Sequence, residues 1–161
     1  IEPIPNAMVC LKKNFCNDTR INFNEVALLD KVGTIKMDIN AEDCSQSQIN
    51  DKGNLKIRCT TLDRFTKDNR IKRVDLLKID VETFEAHVLK GGQKTLDNTK
   101  YLLIEASLIK NMNYTFTSLM GLLSKGRHNF QLFDLREYRA IGEKELVLLD
   151  CFFVNTNLYN R

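Results

Sequence analysis

"VDLLKIDVETFEAHVLKGG" (residues 74–92) changes its periodicity halfway along. Val74, Leu76, Leu77, Ile79 and Val81 form a nearly continuous apolar run, which suits a strand covered on both faces, as in a parallel sheet. Phe84, Val88 and Leu89 then fall on one face of a helix, and Gly91-Gly92 interrupts that pattern before Leu96. Asp80, Glu82 and Glu85 put three carboxylates where the strand gives way to the helix. Downstream, "YLLIEAS" (101–107) is a second largely apolar strand, and "FTSLMGLLSKG" (116–126) is an amphipathic helix closed by Gly126. Strand, helix, strand, helix in this order predicts an α/β sheet.

Two further strands, "NFQLFDL" (129–135) and "ELVLLDCFFVN" (145–155), close the chain as a pair, joined by the polar "EYRAIGEK" (137–144). Upstream of the deciding stretch the period is two. Ile35, Met37 and Ile39 alternate with Thr34, Lys36 and Asp38, and Leu55, Ile57 and Cys59 alternate with Lys56 and Arg58. Such alternation predicts strands with one buried face, paired antiparallel, around a polar loop at 40–54 whose Asp51-Lys52-Gly53-Asn54 carries turn chemistry. At the start, Pro5 suits the first turn of a helix, with Met8, Leu11 and Phe15 at helical spacing and an end near residues 14–17. "INFNEVAL" (21–28) reads as a strand.

A length of 161 residues suits one domain with a single core, and 43% hydrophobic with 28% charged residues excludes disorder and a membrane-embedded chain. The charge of +3 is spread without a dense basic block, since Asp68 interrupts the basic run at 67–73, so a nucleic-acid partner is not expected. Five scattered cysteines without a C-x-x-C pair read as reduced thiols in a cytoplasmic setting. His87 and His128 have no partner at metal-ligand spacing and read as packing or surface residues; no metal ligand set is expected.

In open α/β sheets ligands lie outside the carboxyl ends of the strands. Asp80 and Glu82 stand at one such end and Glu105 at the next. Strands also emerge into water there, so charge alone does not make a site. The residues themselves carry more. "TLDRF" (61–65), "VDLLKIDVETFEAHVLKGG", "TL" (95–96) and "YLLIEAS" occur in an order that closely resembles the FkbM-type family of S-adenosylmethionine-dependent methyltransferases. "IEPIPNAMVCLKKNFCND" (1–18) and "NEVALLDKVGTIKMDI" (24–39) extend the resemblance, which runs from Glu2 to about Gly126.

The resemblance implies a Rossmann-like class I methyltransferase sheet, mostly parallel, with a C-terminal antiparallel strand and an inserted β-hairpin. It implies S-adenosylmethionine as cofactor, with Glu2 on the ribose hydroxyls, Ala27 and Leu28 near the adenine, and Asp80 beside the methionine part and the acceptor. The implied reaction is methyl transfer to a hydroxyl oxygen of a sugar or small metabolite. Asp80, Glu82 or Glu105 would act as general base, and the same carboxylates could instead hold a divalent cation. Glu85 is expected to favour the helix N-terminus and to be mild when changed.

The sequence departs from the family pattern in two places. Thr83 stands where the family has glycine, so a left-handed turn there would be strained. The family's first strand and glycine-rich cofactor loop have no counterpart in these residues, so the chain is expected to be a single methyltransferase domain (1–161) lacking its N-terminal part. That absence also supports an alternative reading, a non-catalytic binding or scaffolding domain of the same fold.

Overall fold

The computed structural model describes residues 1–38, 48–108, 115–141 and 145–159. Pro5 opens helix α1 (Pro5–Asn14), where its missing N–H leaves no bond unmade. Of its apolar positions only Met8 is buried; Phe15 lies past the last turn and is 46% exposed. Strand β1 (Ala27–Leu29) is shorter than the expected 21–28, because only Ala27, Leu28 and Leu29 find ladder partners, the parallel Cys59, Thr60 and Thr61.

The period-two segments form strands β2 (Gly33–Asp38), β3 (Gln48–Ile49) and β4 (Leu55–Thr61). β2 and β4 pair antiparallel from Gly33–Cys59 to Met37–Leu55, and Ile35, Met37, Ile57 and Cys59 are buried on one face. The turn after β3 is closed by the Gly53 N–H donating to the Asn50 carbonyl at 2.8 Å. Ile39 and most of the expected 40–54 loop fall outside the described residues. Helix α2 (Leu62–Asp68) was not expected from periodicity; its signal is Thr61, whose hydroxyl accepts the Arg64 N–H at 3.1 Å as an N-cap.

Next come β5 (Val74–Ile79), α3 (Glu85–Lys90), α4 (Gln93–Leu96), β6 (Thr99–Ser107) and α5 (Phe116–Leu123). β7 (Phe130–Ile141), β8 (Glu145–Asn155) and α6 (Thr156–Tyr159) complete the chain. β7 runs on through 137–141, which had read as a polar connection, because these residues pair with β8 across three register irregularities. Gly142 lies outside the described residues.

The α/β class holds, but one mostly parallel Rossmann-like sheet does not match. Among the described residues the strands form two four-stranded sheets in the orders β1-β4-β2-β3 and β5-β6-β8-β7. Each has a single parallel pair, β1–β4 and β5–β6; the other ladders are antiparallel. The α3–α4 crossover leaves β5 and β6 parallel, whereas β6 reaches the far edge strand β7 through α5, and the short link from β7 to β8 returns β8 antiparallel between them. The expected cover on both faces of β5 is also corrected. β5 is an edge strand in which only Ile79 is buried, and Leu76 is 55% exposed.

The main core lies under α3 and α5, where Val88, Leu89, Leu102, Ile104, Leu119 and Phe153 are at most 1% exposed. α3 contacts both β1 and β6 and so ties the sheets together. Gly91 makes this approach possible: a methyl group there would run into the Leu29 carbonyl oxygen. His87 adds a polar tie, its Nδ1 3.0 Å from Asp30 Oδ2 just past β1.

Candidate active site

Residues 80–84 carry the chain from the end of β5 into α3, and their backbone is under strain. Glu82 has φ 49° and Thr83 φ 83°, both left-handed and neither glycine. Such conformations cost on the order of 1–3 kcal/mol each and persist only where the surroundings enforce them. The turn therefore keeps a glycine-like shape with a β-branched residue in it.

This turn borders a cavity of about 620 Å³. Asp80 and Glu82 reach it from the end of β5; Glu2, Ala27 and Leu28 reach it from the other side. Glu2 is half-buried. Its Oε1 accepts the Ile4 N–H at 2.8 Å, and its own N–H donates to the Asn24 carbonyl at 3.0 Å, which pins the opening segment beside the approach to β1. A carboxylate has about four acceptor positions, so one backbone bond leaves it able to take hydroxyl donors. Asp80 is exposed, with Lys78 Nζ 2.9 Å from its Oδ2. Ile35, Met37, Ile49, Phe84 and Val88 make an apolar wall. Sequence reading did not assign that wall to the site, though the alternation in 34–39 had marked Ile35 and Met37 as inward-facing.

Glu105 does not join this group. It follows Ile104, which pairs with Ile79, but β6 runs on to Ser107, so Glu105 lies within the strand rather than at its end, opposite Asp150 on β8, and does not line the cavity. The carboxyl that sequence reading set aside is the unusual one. Glu85 is 0% exposed rather than a solvated helix-start charge. Its Oε1 accepts the Val81 N–H at 3.2 Å, and its Oε2 is buried without a hydrogen-bond partner. Burial pushes this carboxyl up to about 7; the N–H groups of Glu85, Val81 and Thr83 pull it down, and nearby Glu105 adds to the rise. The signal available in the sequence was the helical face itself, since position 85 lies one turn before the buried Val88 and Leu89.

The histidines prove to be tied rather than solitary. Besides the His87–Asp30 contact, the His128 side chain is buried with Nδ1 3.0 Å from Asp97 Oδ1. Among the described residues no group of three or more His, Cys, Asp or Glu side chains is placed to hold a metal ion. Among them, too, no helix is long and apolar enough to cross a membrane.

A family model described as the methyltransferase FkbM domain matches residues 1–132. The chain belongs to the FkbM methyltransferase family. No curated protein and no solved structure matches it. The FkbM match takes in every residue that lines the cavity, together with Glu85 and Glu105. Methyl transfer is therefore the chemistry against which the cavity has to be judged.

Proposed function

We propose that the cavity between β1 and β5 is the cofactor site of an S-adenosylmethionine-dependent O-methyltransferase acting on a sugar or small metabolite. One observation carries this reading. Glu2, Ala27 and Leu28 on one side and Asp80 and Glu82 on the other, far apart in sequence, line one largely apolar cavity. Such a cavity, with a few convergent polar groups, suits a ligand of nucleoside size. Bound there, S-adenosylmethionine would supply an electrophilic methyl group.

The chain's own residues then have separable tasks. Glu2 accepts ribose hydroxyls, Ala27 and Leu28 pack against the base, and the apolar wall of Ile35, Met37 and Phe84 keeps water out. Asp80 or Glu82 orients the acceptor hydroxyl and takes its proton as the new bond forms. Glu105, alongside but off the cavity, is the third candidate base. Holding reactants in line is most of what the protein contributes to such a displacement. The free thiols at Cys10, Cys16, Cys59 and Cys151 support a reducing, cytoplasmic setting.

Calorimetric titration of the full protein with S-adenosylhomocysteine tests the site. Glu2→Ala should weaken binding by about 1.5–3 kcal/mol, the loss of hydrogen bonds to a charged group. Single-turnover rates should fall about a hundredfold to ten-thousandfold in Asp80→Asn or Glu82→Gln, whichever carries the base, with affinity largely kept. Unchanged affinity in Glu2→Ala would remove Glu2 from the site. Binding without transfer to any hydroxyl acceptor would favour the binding-module alternative.

A further inference from the structure

We propose that Glu85 is a positioning residue: its enclosed carboxyl holds the left-handed turn at 80–84 and thereby sets Asp80 and Glu82 on the cavity. This inference rests on the reading of the cavity as the methyl-transfer site.

The geometry of the turn calls for such a group. Two consecutive non-glycine residues are left-handed, so something must hold them. Glu85 meets the turn from inside. It accepts the Val81 N–H at 3.2 Å and faces the N–H groups of Thr83 and of its own residue. Ionised, it is an acceptor for all three; protonated, it gives up acceptor capacity and gains a hydroxyl donor. Its enclosed Oε2 has no hydrogen-bond partner, which is costly for a carboxyl and of no use to a helix start. Burial outweighs these N–H groups, so the fold favours the protonated carboxyl, and its ionisation near neutral pH loosens the turn.

Among the described residues the other charges around Glu85 are few. Glu105 within β6 opposes its ionisation, Asp80 and Glu82 stand on its own turn, and α5 carries no titratable side chain. His87, on the same helix, is engaged with Asp30 past β1. Lys100 lies at the opposite end of β6 from Glu105, and Lys94 is on α4.

The test uses Glu85→Ala and Glu85→Gln in the full protein, read by amide hydrogen exchange at Val81 and Thr83 and by titration with S-adenosylhomocysteine. Glu85→Ala should speed exchange at Val81 by about tenfold, the loss of one enclosed hydrogen bond, and weaken binding by a similar factor. Glu85→Gln, whose amide oxygen can still accept the Val81 N–H, should restore most of both. It should also abolish the fall in Val81 protection that the parent shows between about pH 4.5 and 7, where an opening that frees the carboxyl becomes steadily easier. Unchanged Val81 protection in Glu85→Ala would overturn the inference, and so would lost protection with unchanged affinity. Should Glu85→Ala not fold, a pH dependence of Val81 protection in Glu85→Gln equal to the parent's would overturn it as well. Failure of the parent itself to bind S-adenosylhomocysteine would overturn the proposed function instead, and the exchange data would still decide whether Glu85 holds the turn.

Discussion

Replacing Glu85 by glutamine should change how stability depends on pH, by an amount the structure sets. In the unfolded chain this carboxyl titrates at its ordinary 4.5; in the folded protein burial raises it to about 7. An acid whose pKa rises on folding contributes stability that is fully present below the unfolded value. That contribution is lost as pH climbs through the folded value. At about 1.4 kcal/mol for each pH unit, the rise from 4.5 to about 7 corresponds to roughly 3 kcal/mol, lost progressively between about pH 4.5 and 7. Glutamine cannot titrate, so Glu85→Gln should not show this loss. Urea unfolding followed by circular dichroism from pH 4.5 to 8.5 measures both proteins, and subtracting the curves cancels most other titrating groups. The variant should gain on the parent by roughly 3 kcal/mol as pH rises, or about 6–12 °C in melting temperature for a chain of this size. Curves that stay parallel within about 0.5 kcal/mol, the usual range for a surface change, would mean that Glu85 titrates as an exposed carboxylate.

Two other expectations follow from packing and burial. Gly91→Ala should lower stability by about 3 kcal/mol, because its methyl meets the backbone carbonyl of Leu29 rather than a side chain that can move aside; a melting temperature within a degree of the parent would show that the two sheets can separate there at little cost. In thiol labelling mapped by mass spectrometry, exposed Cys10 and Cys16 should react in the native protein, whereas buried Cys59 and Cys151 should react only on unfolding. Burial pushes the Cys151 thiol up to about 11, so its thiolate is about a hundredfold scarcer than that of an ordinary thiol even before access is considered. Equal labelling of all four would contradict the packing of β4 and β8.

Local chemistry was legible from the chain alone. Pro5, the alternation in 34–38 and 55–59, and the switch from strand to helix after Ile79 each depend on neighbours close in sequence, and each appears where residue spacing put it. The order of residues also carried the family, since the FkbM match covers the motifs in 1–132. Pairing was decided only in three dimensions. Whether 21–28 would be a strand depended on the partners β4 could offer, and whether 137–141 would be a connection depended on β8. The exposure of β5 depended on its place at a sheet edge, which no window of sequence records. The site divides in the same way. Asp80 and Glu82 could be named from their position after a strand, and Glu2, Ala27 and Leu28 from the family resemblance. That all five line one cavity is a property of the fold. Glu85 shows the division most clearly, because three carboxylates within six residues are alike as text. What separates Glu85 is the low-dielectric surroundings that α3 acquires when it packs between β1 and β6, and those surroundings exist only once the chain has folded.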